Sequence, residues 1–331
     1  MSMVPVPPAE AGSAEVDAVV IGRNEGARLL ACLASLHGQV RRVVYVDSGS
    51  TDGSVKAARD AGAEVVALDM TLPFTAARAR NAGLAWLSGD GFVQLVDGDC
   101  QVQPGWIAAA LRGFADHPRA VVVCGRRRER FPGASVWNRL CDREWNTPVG
   151  QATACGGDAL MRLAAVRAAG GYREDLIAGE EPELCLRLRR AGGEVWRIDA
   201  EMTLHDAAMT RMSQWARRMQ RAGHAFAEGA ALHGAGPERH WVAETRRAVV
   251  WGLGVPLAAG VVATVHPAGA LILLAWPLQM ARLAWRWRDE GRAGAEAAVF
   301  TVLGKPPEAL GVLGYWWGRV SGRRRGLIEY K

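Results

Sequence analysis

From Val16 to Cys124 the chain alternates short apolar runs with stretches of helical spacing, and this rhythm restricts the fold more than any other feature. Val16–Ile21 reads as a buried strand, followed by Gly22-Arg23-Asn24-Glu25 and a helix to about His37. Val43–Val46 is a second strand running into Asp47-Ser48-Gly49-Ser50-Thr51-Asp52-Gly53, with a helix to about Ala61 and a strand at Glu64–Leu68. Thr75–Leu87 has helical spacing, Phe92–Val96 is a strand ending in Asp97-Gly98-Asp99, and Pro104 opens a helix at Trp106–Phe114. Ala120–Cys124 is a fifth apolar run. Strands alternating with helices at this spacing predict βαβ units and a mostly parallel, Rossmann-like α/β sheet with helices on both faces. Further on, Leu160–Ala169 and Pro182–Ala191 read as helices and Glu194–Ile198 as a strand.

After about Arg211 the character changes. Met212–Ala231 reads as a long basic amphipathic helix, and residues 248–281 form a run of 34 without one Asp, Glu, Lys or Arg. One membrane helix needs roughly 20 residues, so the run is too long for one span and short for two. His266-Pro267 divides it into helices of about 16 residues each, which predicts a re-entrant or barely spanning hairpin. Arg246 and Arg247 precede the run and Arg282, Arg286 and Arg288 follow it. By the positive-inside tendency both ends lie in the cytoplasm, on the inner face of the cell membrane. A buried helical pair in a soluble domain would have the same composition. Nine of the thirteen tryptophans lie beyond residue 195, as suits helices near a bilayer interface. Pro307–Val320 with Arg323-Arg324-Arg325 has the pattern of an interfacial helix. The expected divisions are a disordered lead-in at 1–15, a catalytic domain at 16–210, a basic helical segment at 211–247, a hydrophobic hairpin at 248–288 and an amphipathic tail at 289–331.

The net charge of +6 and the clusters Arg126-Arg127-Arg128 and Arg217-Arg218 suit phosphate-rich partners or an anionic membrane surface, and no motif supports nucleic acid. The six cysteines show no Cys-x-x-Cys pair or zinc spacing, which points to a reducing compartment. Met1–Glu15 lacks the basic start and apolar core of a secretory signal.

The strand ends carry the chemistry. Asp97 and Asp99 flank a glycine just past a strand, a pattern suited to a divalent cation that also holds a phosphate. In an open α/β sheet, ligands bind outside the carboxyl ends of the strands. Asp47 can accept hydrogen bonds from a nucleobase imide or a ribose hydroxyl, while Asp52 suits capping of the next helix. Of Arg78 and Arg80, two apart on a helix, one can reach a diphosphate with its fork of donors.

The motifs in order resemble the family 2 glycosyltransferases with the GT-A fold. They are Asn24-Glu25, the Val-Asp-Ser-Gly-Ser-Thr-Asp-Gly run at 46–53, Ala79-Arg80-Asn81-Ala82-Gly83, Asp97-Gly98-Asp99, Gly156-Gly157-Asp158-Ala159-Leu160, Gly170-Gly171-Tyr172 and Gly179-Glu180-Glu181-Pro182-Glu183-Leu184. The resemblance covers residues 16 to about 210. It implies donor contacts at Asn24, Glu25, Asp47, Arg80, Asp97, Asp99, Gly157 and Asp158, with Asp47 on the base and Arg80 on the diphosphate. It implies Mg²⁺ or Mn²⁺ at Asp97 and Asp99, and a late histidine ligand at His205. The general base implied is Glu181, where the family usually has Asp, with Glu180 in reserve. The function implied is inverting transfer of a sugar from a nucleotide donor to a saccharide or lipid-linked acceptor, in polysaccharide or glycolipid synthesis. The alternatives are a sugar nucleotidyltransferase, or a non-catalytic membrane partner of a polysaccharide assembly complex.

Overall fold

The computed structural model describes residues 16–322, so the lead-in at 1–15 and Arg323-Arg324-Arg325 lie outside the described residues. The chain divides into two compact units. One comprises the chain to Arg128 with Trp145–Glu174 and Glu181–Asp206; the other comprises Glu129–Glu144, Asp175–Glu180 and the chain from Ala207.

In the first unit, β1 (Val16–Gly22) is buried along nearly its whole length, as a central strand covered on both faces should be. Helix α1 (Ala27–Leu36) buries Leu29, Cys32, Leu33 and Leu36, the three-and-four spacing of one helix face. Next come β2 (Arg42–Asp47), α2 (Ser54–Asp60), β3 (Glu64–Ala67), α3 (Ala76–Trp86) and β4 (Phe92–Asp97). Strands β3, β2, β1 and β4 lie side by side and parallel, delivered by crossover helices. Their register decides where the loops emerge: Gly22 stands opposite Asp47, and Ile21 opposite Asp97. Helix α3 can lie close to the sheet because Gly83 has no side chain; a Cβ there would stand 2.3 Å from Val19 Cγ1.

Then follow β5 (Cys100–Val102), α4 (Trp106–Asp116), β6 (Ala120–Glu129), α5 (Val136–Glu144), β7 (Gly150–Ala152), β8 (Ala159–Arg162), α6 (Leu163–Ala168), α7 (Glu180–Arg190) and β9 (Glu194–His205). The full order is β3-β2-β1-β4-β8-β6-β9-β5, with β7 also on β9. The expected parallel character therefore holds from β3 to β4 and changes beyond it. Strand β8 pairs antiparallel with both β4 and β6, and β9 antiparallel with β5 and β7. No crossover helix delivers β8, so it runs against its neighbours. Residues 159–162 are accordingly strand rather than the start of a helix, which begins only at Leu163. Ala159, Leu160 and Met161 are fully buried between β4 and β6, where ladder pairing outweighs their helical propensity. Strand β9 runs well past the expected Ile198, to His205.

The second unit is helical. Helices α8 (Met212–His233), α9 (Val242–Val249), α10 (Val255–Val265), α11 (Ala275–Arg286), α12 (Gly291–Leu303) and α13 (Lys305–Ser321) complete the described chain. Backbones of α8 and α13 touch where glycines permit: a Cβ on Gly223 would stand 1.9 Å from the Glu308 carbonyl oxygen, and one on Gly311 2.0 Å from that of Gln220. Bidentate ion pairs fasten α5 to this bundle, Arg139 to Glu296 at 2.9 Å and Arg218 to Glu144 at 2.7 and 2.8 Å.

The apolar helices are longer than the sequence division suggests. Val242–Val265 is one continuous helix of 24 residues, and Pro267–Arg286 a second of 20 residues. The first extends back through Glu244, Arg246 and Arg247, and a wide turn at Val250–Gly254 absorbs Pro256, which cannot donate an amide hydrogen bond. His266 breaks the helix in an extended conformation, and its Nδ1 accepts from the Ala268 amide. The two helices then run back along each other: a Cβ on Gly269 would stand 2.3 Å from the Ala263 nitrogen, and Trp276 Nε1 donates to the Trp251 carbonyl at 3.1 Å. Both are long and apolar enough to cross a membrane, and only 17% and 6% of their apolar windows are buried. They are not core helices.

Candidate active site

The loops after β1, β2 and β4 open at the same edge of the sheet, and the candidate residues gather there. Asn24 has φ 56°, a left-handed conformation that asparagine tolerates. Its Oδ1 accepts from the Thr51 amide at 2.7 Å and its own amide donates to Ser50 Oγ at 2.9 Å, so it joins the first two loops. Glu25 pairs with Arg28 at 2.7 Å. Asp47 is buried, with its carboxylate accepting from the Tyr45 hydroxyl and from the Gly49 and Ser50 amides. Burial and the neighbouring Asp47 charge push the Tyr45 hydroxyl up, which keeps it a donor. Asp52 holds the Ser54 amide and hydroxyl at the start of α2. The Ser54 contacts depress its pKa.

Arg78 and Arg80 separate as their helix positions require. The Arg78 guanidinium is taken up by the carbonyls of Asp69, Leu72 and Pro73. Arg80 is 3% exposed and bridges two acids, with Asp97 Oδ1 at 2.9 Å and Glu181 Oε1 also at 2.9 Å. Its guanidinium also lies over the Tyr172 ring. Gly157 permits this arrangement, since a Cβ there would stand 2.8 Å from both Arg80 Nη2 and Asp97 Oδ2. Asp158 is fully buried and accepts from the Asp97 amide at 3.2 Å and the Thr203 hydroxyl at 2.7 Å. It therefore orients the strand end that carries Asp97. Glu183 pairs with Arg187 within α7, while Glu180 starts that helix and is buried.

Two contributors were hidden in the sequence. Arg127, read there as part of a basic cluster, turns into the site: Nη2 lies 3.3 Å from Asp97 Oδ2 and Nε 3.4 Å from Asp158 Oδ2, with its guanidinium over Trp145. Alternation along β6 is the signal that separates it from Arg128, which pairs with Glu201. The second is Cys100, whose Sγ lies 3.7 Å from Asp99 Oδ1 and 3.3 Å from Arg127 Nη2.

His205 Nε2 stands 3.4 Å from Asp99 Oδ1. Ligand atoms of Asp99, Cys100 and His205 lie within 4.8 Å of one another, as do those of Asp97, Cys100 and Asp158. A buried carboxylate beside an imidazole fits a divalent cation. Asp97, in contrast, is already held by two guanidiniums.

Residues 17–160 match the glycosyl transferase family 2 profile. Over that stretch the chain is similar to a family 2 glycosyltransferase domain. The pre-mycofactocin glycosyltransferase of Mycobacterium tuberculosis (strain ATCC 25618 / H37Rv) is 29% identical over 245 residues, 69% of this chain and 50% of that protein. Succinoglycan biosynthesis protein ExoA of Rhizobium meliloti (strain 1021) is 28% identical over 195 residues, 53% of this chain and 58% of that one. The chain thus spans about half the length of the curated relatives it matches. Among solved structures, the mannosyltransferase PcManGT from Pyrobaculum calidifontis, in complex with GDP-Man and Mn²⁺, superposes with a TM-score of 0.60 at 20% identity, over 88% of this chain and 86% of that one. S. aureus TarS 1-349 gives 0.50 at 15% identity, over 92% of each. Likeness at this identity establishes the fold, which is GT-A, with two apolar C-terminal helices added.

Proposed function

We propose that this protein is a membrane-attached, divalent-metal-dependent, inverting glycosyltransferase of the cytoplasmic leaflet. It moves a sugar from a nucleotide-sugar donor to a hydroxyl of a saccharide or lipid-linked acceptor, in polysaccharide or glycolipid synthesis. The observation that carries this reading is the Arg80 bridge, one buried guanidinium joining the donor-side carboxylate Asp97 to Glu181.

The sheet edge offers the parts that such a reaction needs. The Asn24 and Asp47 loops present a small-residue surface for the nucleoside. Arg80 is positioned to balance diphosphate charge, and a cation held by Asp99 and His205 would neutralise further charge on the departing diphosphate. Glu181 is the general base. Its carboxylate takes the proton of the acceptor hydroxyl as the acceptor oxygen bonds to the anomeric carbon, and the bond from that carbon to the diphosphate breaks on the opposite side. A single displacement of this kind inverts the anomeric centre. The Arg80 pairing gives the base a resting partner: a diphosphate that draws Arg80 toward itself frees Glu181 for the acceptor. Glu181 meets Arg80 directly, which favours it over Glu180.

Membrane attachment is supported by the two exposed apolar helices, with Val261, Val265, Leu271 and Leu278 each more than 60% exposed. At 1.5 Å per residue, the uncharged part of the first helix, Ala248–Val265, is about 27 Å long, close to the roughly 30 Å hydrocarbon core. That length suits a barely spanning hairpin. Arg246 and Arg247 on one arm and Arg282 and Arg286 on the other support a cytoplasmic position for both ends by the positive-inside tendency. The testing experiment is a screen of nucleotide-sugars with the full chain in detergent and Mn²⁺, reading released nucleoside diphosphate. The expected result is turnover of one sugar class that Asp99→Asn removes. No turnover or stabilisation by any nucleotide-sugar would overturn the reading.

A further inference from the structure

The residue after the acidic motif is a cysteine that belongs to the buried core and also meets charged groups. Cys100 is fully buried, yet its sulfur faces Asp99 on one side and Arg127 on the other. The antiparallel ladder between β5 and β9 sets it directly opposite His205. We propose that the Cys100 sulfur, brought among the Asp99 carboxylate and the His205 imidazole by the β5–β9 pairing, is itself a metal ligand, so that the site takes a borderline ion of the zinc and cobalt class. This rests on the divalent-metal reading given above and deepens it.

Two groupings share the cysteine, and the structure separates them. In the grouping of Asp97, Cys100 and Asp158, a cation is already resident: the Arg127 guanidinium reaches Asp97 and Cys100 at 3.3 Å and Asp158 at 3.4 Å. A metal ion there would have to share the space with that charge. In the grouping of Asp99, Cys100 and His205, the ligand atoms lie within 4.8 Å of one another and all three residues are buried. The ion belongs with the second grouping. Its donor set is one oxygen, one sulfur and one nitrogen. Magnesium takes oxygen ligands almost exclusively, whereas thiolate with imidazole selects zinc, cobalt and related ions. Three protein ligands with a remaining open position is the form of catalytic zinc sites, and a donor phosphate oxygen is the natural fourth ligand. On binding, the sulfur–metal bond replaces the Cys100 S–H bond and the proton leaves to solvent.

The test uses the full chain in detergent, freed of metal by chelation and titrated with Co²⁺, read by absorption rather than activity. Wild type is expected to show a sulfur-to-cobalt charge-transfer band in the near ultraviolet, and Cys100→Ser to lose it. Cys155→Ser should retain the band. It is the informative control because Cys155 and Cys185 form another buried sulfur pair, 3.6 Å apart. Zinc-edge X-ray absorption should find one sulfur at about 2.3 Å in the wild type and, unchanged, in Cys155→Ser, which keeps the inference testable even if Cys100→Ser fails to fold. A cobalt spectrum of oxygen and nitrogen ligation alone, or a band lost in Cys155→Ser and kept in Cys100→Ser, overturns the inference while leaving a metal-dependent transferase intact. No bound ion of any kind overturns both this inference and the metal reading. A sulfur signal without nucleotide-sugar turnover upholds the ligand and defeats the transferase.

Discussion

In the sheet unit, charge is drawn inward: Arg80, Arg127, Asp97, Asp158 and Glu181 pair with one another at a largely buried edge. In the helical unit, the apolar side chains are the exposed ones, Val265 at 87% and Leu278 at 69%, while ion pairs such as Arg143–Glu290 reach solvent. Exposed apolar surface of this extent marks a place of contact with a partner, a ligand or a membrane, and a buried ion-paired edge marks a candidate functional site. The contrast is between an ion-paired sheet edge and two exposed apolar helices, the features on which the proposed donor site and the proposed membrane attachment rest. Both units rely on glycine for close approach, Gly83 beneath α3 and Gly223 against α13, but they spend that closeness on different tasks.

Substitutions can break this comparison. The largest expected effect is on chemistry. Glu181→Gln should keep donor binding and lower transfer by roughly 10²- to 10⁴-fold, the range for loss of a general base. Single-turnover measurements at saturating donor would check it, and an active Glu181→Gln beside an inactive Glu180→Gln would move the base by one residue.

Next in size is membrane retention. Replacing Val261, Val265 and Leu278 together by serine should release the chain from carbonate-washed membranes without changing affinity for nucleoside diphosphate. A wild-type chain recovered from the soluble fraction as a monodisperse monomer would remove the apolar half of the comparison.

The paired glycine tests come third. Gly83→Ala and Gly223→Ala should each cost about 1–3 kcal/mol by overpacking. Gly83→Ala should also weaken donor binding, because Arg80 rides on the same helix, whereas Gly223→Ala should not. Thermal melts and calorimetry on both variants would show whether the effects separate.

The smallest effect is electrostatic. Hydrogen bonds from Arg139 hold Glu296 down at about 2. A depressed carboxylate contributes stability above its ordinary pKa and loses it as pH falls from about 4 toward 2. Glu296→Gln should flatten the acid limb of a melting-temperature profile over that window, by about 1 kcal/mol for a partly exposed pair.

How legible the molecule is in its sequence differs between the same two regions. Strand ends at Asp47 and Asp97 can be read because buried apolar runs stop at them and polar loops begin. Arg127 cannot, because three arginines in a row look like a solvated patch until the fold buries Arg126 and turns Arg127 into the site. Residues 160–162 read as helix because Leu and Met favour it, and the slot between β4 and β6 makes them strand. Cys100 gains meaning from a residue more than a hundred positions away, His205, which the β9 register brings opposite it. In the helical unit, composition marked the apolar run, but its true ends lay among charged residues that a count of uncharged positions excludes.

The most direct test of the central claim is calorimetry of nucleoside diphosphates titrated into the full chain in detergent with Mn²⁺ and, in parallel, with Co²⁺. The account predicts saturable, metal-dependent binding of at least one of them, weakened about tenfold or more by Asp99→Asn and by Arg80→Met, with the fold of both variants unchanged by melting. Binding of none, or equal affinity in wild type and both variants, would contradict it.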